Sequence, residues 1–263
     1  MDDTPKLHPS IRENVDPRMT AVALAEYLVL KADGQDEVLH NSRFSQTNIR
    51  AAYASARHAF RAYNADPLRP IAILNKVKDS LDKKANDPSL TPRQQARHSR
   101  DIELIDLFIL REQSLGVRGL PLSKMPRLAP VEIAGVSVSI QPDFLIAPPS
   151  GKIGSLILRV TKAPDPDACK RDATKAERGE HRREIARYMV AMQEVLLLGQ
   201  EQWRGRVDRD LIFVSDVRLG ERIGAGTDHT ARMREIEAAC RQIKTLWAEV
   251  KPNPRIHLKD DDL

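Results

Sequence analysis

Asp143 follows Pro142 inside an alternating, strand-like stretch, and Lys162 closes the next such stretch. Glu184 and Tyr188 stand four residues apart just downstream, a spacing that puts both on one face of a helix. A carboxylate on one strand and a lysine at the end of the next could hold a divalent cation and position a water beside it. The residue two before Lys162, on the same strand face, is Val160, which offers no second carboxylate.

These residues need a sheet and flanking helices to bring them together. The first 115 residues read as helical, with helices expected over 17–32, 45–64, 67–85 and 92–114. Asp16-Pro17, Asp66-Pro67 and Thr91-Pro92 mark three of the starts. Proline suits the first helical position, and the residue before it can cap the free amides. In the second helix Ile49, Tyr53, Ala56, Phe60 and Tyr63 share an apolar face. Arg43, Arg50, Arg57 and Arg61 form an adjacent stripe, and no acid occurs between Ser42 and Ala65. Such a stripe can track a phosphate backbone, or it can be a solvated edge with arginine stems covering core.

From Gly116 the texture changes. A connector with Gly119, Pro121, Pro126 and Pro130 leads to strands expected at 131–133, 136–146 and 153–162, with a turn at Ala134-Gly135. Val136, Val138 and Ile140 alternate with polar residues, as in a half-buried strand. On the third strand Gly154, Leu156, Leu158, Val160 and Lys162 face one way, and Ser155, Ile157, Arg159 and Thr161 the other. A long helix over 168–198, with an interruption expected at Gly179, a fourth strand at 211–217 and a last helix near 229–249 complete the order. The expectation is an α/β chain of the α+β type, with a mixed sheet of about four strands flanked by helices. The first three strands pair antiparallel and the fourth pairs parallel. Residues 1–115 form a helical N-terminal region whose last helix packs on the core, 116–250 form the α/β core, and 251–263 form a polar tail.

This order and these residues resemble the PD-(D/E)XK nuclease superfamily, in its RecB-like branch and with a degenerate (D/E)xK motif. The resemblance covers about 92–217. It implies a restriction-endonuclease-like core, with Mg²⁺ or Mn²⁺ as cofactor. Asp143 would be a metal ligand and Lys162 would orient the attacking water. Mg²⁺ favours carboxylate oxygens, and a bound cation acidifies water and stabilises the charged transition state. In the RecB-like branch a glutamine precedes the helix tyrosine by four residues. Here that position is Glu184, ahead of Tyr188, and Glu184 is a candidate for the carboxylate missing at Val160. The preceding helix would offer Glu103, with Asp106 second. Two readings follow. Either the acid has migrated to Glu184, or the site has decayed and the fold serves as a scaffold or interaction subunit. The resemblance further implies DNA as partner, held through Arg50, Arg57, Arg61, Arg182 and Arg183, in bacterial DNA processing or defence. A protein partner docking on the N-terminal helices is the alternative.

Other chemistry finds little support. Pro164-Asp165 and Pro166-Asp167 repeat the Pro-Asp pair, and Asp167 reads most simply as a helix cap. Lys170, Arg171, Lys175, Arg178, Arg182, Arg183 and Arg187 are interleaved with Asp172, Glu177, Glu180 and Glu184, a self-pairing pattern. The seven histidines form no close pair. The loop at 220–227 lacks a phosphate-loop ending. Cys169 and Cys240 have no metal-site spacing and read as isolated thiols in a reducing compartment. The net charge of +5 permits nucleic-acid binding without demanding it. With 4% aromatic residues, the core is expected to rest on Leu, Ile, Val and Ala. No apolar run is long enough to span a bilayer, so a soluble, cytoplasmic protein without membrane contact is expected.

Overall fold

The computed structural model describes residues 7–47 and 53–252. In chain order the elements are β1 (Ile11–Glu13), β2 (Arg18–Thr20), α1 (Ala21–Val29), α2 (Ala32–Arg43), β3 (Phe44–Gln46), α3 (Ala54–Ala65), α4 (Ala72–Ala85) and α5 (Pro92–Arg111). Then follow β4 (Leu122–Lys124), β5 (Val131–Ile133), β6 (Val136–Ser139), β7 (Phe144–Ile146), β8 (Ile153–Arg159) and α6 (Asp172–Leu198). The last are β9 (Val207–Asp216), β10 (Glu221–Ile223) and α7 (His229–Leu246). This is a mixed α/β chain with a helical N-terminal region. Its sheets, among the described residues, have two, three and five strands.

The chain divides into two units that interleave in sequence. One takes Met1–Ile49, Ala129–Ile140 and Asp228–Leu263, and the other Arg50–Leu128 and Gln141–Thr227. The change of texture near residue 115 therefore falls inside the second unit.

In the first unit β2 pairs parallel to β6, and β6 pairs antiparallel to β5. The β5–β6 hairpin turns on Ala134 and Gly135, both at positive φ, as a tight primed turn requires. Met19, Leu24, Val136, Val138, Ile236, Cys240 and Ile243 are buried here. The Trp247 indole N–H donates to the Asn14 carbonyl at 3.0 Å, tying the end of α7 to the N-terminal segment.

The second unit is built on the five-stranded sheet, in the order β10-β9-β8-β7-β4. Strands β4, β7 and β8 run antiparallel in turn, and β9 pairs parallel with β8 after the α6 crossover. Leu156, Leu158 and Val160 share a core with Phe60, Leu104 and Phe108 of α3 and α5. Ser155 and Arg159 reach α6 instead, at Gln193 and the Arg182 carbonyl. The alternation read from the sequence holds over these positions. Aromatic residues are few but concentrated. Phe60, Phe108, Phe144 and Phe213 all lie in this one core, and Phe60 stacks on Phe108 at 4.3 Å between centroids. Each such ring contributes about 1.5–3 kcal/mol by leaving water.

Several boundaries move for identifiable reasons. The expected strand over 136–146 breaks at Pro142, which has no N–H to give a ladder. Its halves, β6 and β7, join different sheets, so the antiparallel neighbour preceding β7 is β4. Strand β8 ends at Arg159, three residues short of Lys162. Helix α5 starts as read, with a capping box between Thr91 and Gln94 and Pro92 in the first turn. Asp16-Pro17 starts no helix. The Pro17 carbonyl accepts from Ser137 N–H at 2.9 Å, and Thr20 caps α1. Asp66 closes an Asx turn on Leu68 N–H, and α4 begins only at Ala72. Helix α6 runs unbroken through Gly179. No helix among the described residues is long and apolar enough to cross a membrane.

Candidate functional site

Asp143 lies just before β7, against the middle of β8. Its N–H donates to the Leu156 carbonyl at 2.8 Å, which carries the strand pairing one residue past the ladder. The carboxylate is 5% exposed, and both of its oxygens are occupied. Leu158 N–H donates to Oδ2 at 2.8 Å. Arg61 of α3 donates to Oδ1 twice, from Nε at 3.0 Å and from Nη2 at 2.7 Å. A guanidinium thus takes one oxygen and a backbone N–H the other. Charge-assisted bonds of this kind are among the stronger ones in proteins.

Val160 offers nothing to a cation. It is buried in the same apolar core as Leu156 and Leu158. Lys162 lies past the strand end, half-exposed, with Nζ 3.9 Å from Asp165 Oδ2. Asp165 caps the short 3-10 turn Pro166–Ala168 by accepting from Asp167 N–H. The cap is therefore Asp165 and not Asp167. Arg218, just past β9, lies 3.9 Å from the same Asp165 oxygen and donates to Glu103 of α5 at 2.6 Å. It also approaches the Tyr53 hydroxyl at 3.4 Å. Burial works against the Arg218 charge, but Glu103, Tyr53 and Asp165 together hold its pKa above the usual guanidinium range. Lys162 and Glu103 thus belong to one cluster, through Asp165 and Arg218.

A third carboxylate, Asp216 at the end of β9, is fully buried. Arg182 binds it from Nε at 2.9 Å and Nη2 at 2.8 Å, and Arg159 reaches it at 3.3 Å. The N–H groups of Arg218 and Leu219 complete its shell at 3.0 Å each. The remaining Arg182 donors go to the carbonyls of Thr161, Lys162 and Pro164. Arg182 therefore locks the loop carrying Lys162 onto α6. Nearby, burial lowers the His181 pKa, and Arg159 and Arg182 lower it further.

The remaining expected residues go elsewhere. Glu184 pairs with Arg187, which also binds Glu180 at 2.9 Å. Tyr188 is buried on α6. Asp106 pairs with Lys78. Of the arginines expected to hold phosphates, Arg182 is fully buried and Arg183 is held by Glu221 at 2.8 Å. The Arg57 Nε is buried without a hydrogen-bond partner, and Arg50 lies outside the described residues.

The donor set does not fit a divalent metal. Asp143, Glu184 and Glu103 each face an arginine. Among the described residues no three His, Cys, Asp or Glu side chains gather closely enough to hold an ion. Sequence reading set Asp165 aside as a repeat of the Pro-Asp pair and missed Asp216 and Arg218. Asp216 carried a usable signal, a lone acid closing an apolar strand, the same signal that singled out Lys162. No protein-family model matches this chain, and no curated protein matches it.

Proposed function

We propose that this chain is a catalytically silent protein with a nuclease-like core, serving as an interaction or scaffold subunit. The order α5, β4, β7, β8, α6, β9, with three antiparallel strands and a parallel fourth, supports the likeness to the restriction-endonuclease-like core. One observation carries the silent reading: Arg61 fills the cation position at Asp143 and Leu158 N–H takes the other oxygen. Displacing a guanidinium from a buried carboxylate costs a metal more than binding an open site, because the existing ion pair and its two hydrogen bonds must be given up. Three of the five arginines expected to grip DNA are also spent, Arg61 on Asp143, Arg182 on Asp216 and Arg183 on Glu221. A protein partner therefore suits this surface better than a nucleic acid does.

Cleavage of single- and double-stranded DNA with Mg²⁺ and Mn²⁺ tests this, using wild type, Asp143→Ala and Lys162→Ala. The expected result is no metal-dependent cleavage by any of the three. Cleavage by wild type that both substitutions abolish overturns the proposal. A second reading, an active Mg²⁺- or Mn²⁺-dependent nuclease, draws on the gathering of Lys162, Asp165 and Glu103 around Arg218. It requires Arg218 to leave the two carboxylates to a metal, and it predicts that Arg218→Ala raises metal affinity.

A further inference from the structure

We propose that the first unit carries a pocket for a phosphate-type oxyanion, independent of the nuclease-like core. The pocket is a half-open cavity of about 450 Å³ at the carboxyl ends of the parallel strands β2 and β6. Thr20 and Ser139 are register partners at those two ends, and both line it. Ligands in open α/β sheets favour this position, because the strands stop there and side chains of neighbouring elements converge.

The charges on the wall give the class of ligand. Arg12 of β1 and Arg18 of β2 both line the cavity. Neither guanidinium has an ion pair or side-chain hydrogen bond among the described residues. The wall holds one carboxylate among the described residues, Glu26, which has a partner of its own. This contrasts with the second unit, where Arg61, Arg159, Arg182 and Arg218 are each set against a carboxylate. Two arginines on one cavity wall without a protein anion suit a tetrahedral oxyanion, which a guanidinium binds through paired N–H groups. Ser42 and Ser139 add hydroxyl donors on the same wall. The end of α1 is not the basis of the site, since the Thr20 hydroxyl already caps Ala23 N–H at 3.1 Å. Met19 and Val38 supply an apolar floor, so the cavity has room for an organic group attached to the phosphate.

The test is calorimetric titration of the full chain with inorganic phosphate and with AMP, at matched ionic strength. Wild type, Arg12→Ala/Arg18→Ala and the control Lys83→Ala on α4 are compared. Arg12 and Arg18 are exposed, so the double variant keeps its backbone pairing, and thermal unfolding checks this. Saturable binding with a Kd below about 1 mM, competition between the two probes and at least tenfold loss in the double variant support the proposal. AMP binding more tightly than phosphate assigns the site to a phosphomonoester, and equal affinity assigns it to free phosphate. Absence of saturable binding by both probes, or binding that survives the double substitution, overturns it.

Discussion

Asp143 and Lys162 stood out in the sequence because of what they are and where they fall. What the sequence did not give was their partners. Arg61 read as a phosphate contact on a basic stripe, since nothing local announces that its guanidinium meets a carboxylate 82 positions away. The consequence is measurable. Arg61→Ala leaves a nearly buried carboxylate without its cation and should cost about 1–3 kcal/mol in urea unfolding. Arg61 is itself half-exposed, which holds the cost toward the low end. Adding Asp143→Asn should recover part of the loss, and strictly additive effects would show that the two residues do not interact. Asp101 gives a second residue-scale prediction. Its carboxylate accepts Ala56 N–H at 3.2 Å at the start of α3. Burial pushes its pKa up, against the lowering effects of that N–H, Arg97 and His98. Between the ordinary aspartate value and the raised folded value, the folded chain binds more protons than the unfolded one. Stability from this group therefore falls as pH rises through that window, and the cost is fully present above it. Asp101→Asn keeps an acceptor and removes the charge. It should flatten this slope in unfolding titrations run upward from the ordinary aspartate value, and a steeper slope in the variant would contradict the account.

At the scale of elements, legibility followed locality. Helix α5 was legible because its cap, Thr91 with Pro92 and Gln94, is written in consecutive residues. The alternation on β8 was legible because a strand has a period of two. The partition of 136–146 into β6 and β7 was not, because the choice between two sheets depends on partners far along the chain. The departure at Val160 was visible as a residue type, but its meaning needed the packing. Val160 belongs to the core of α3, α5 and the sheet. Val160→Glu should therefore bury a charge with no partner and cost about 3–4 kcal/mol. Calorimetry with Mn²⁺ should show no gain in metal affinity, and a folded variant that gains affinity would mean the site geometry survives. Gly154 tests the parallel pairing of β8 with β9. A Cβ there would lie 2.2 Å from the Leu211 carbonyl oxygen, beside the register shift between Ile153 and Ser155. Gly154→Ala should destabilise by about 2–4 kcal/mol, read from the unfolding midpoint. An unchanged midpoint would place β9 differently.

Across the described residues, the expected metal ligands are matched by arginine: Asp143 by Arg61, Glu184 by Arg187 and Glu103 by Arg218, and buried Asp216 is matched by Arg182 and Arg159. The second unit thus spends these acids on internal pairing. The thiols offer a check on the packing of the whole chain. Cys240 is on the buried face of α7, and burial pushes its pKa up to about 12, whereas Cys169 is partly exposed. Iodoacetamide at neutral pH should label Cys169 in the folded protein and reach Cys240 only on unfolding, by mass spectrometry of the peptides. Early labelling of Cys240 would contradict the packing of α7. The central claim, that Arg61 holds the cation position at Asp143, is tested most directly by calorimetric titration of wild type and Asp143→Ala with Mn²⁺. The account predicts no saturable site below about 1 mM in either protein. A stoichiometric site in wild type that Asp143→Ala abolishes would contradict it.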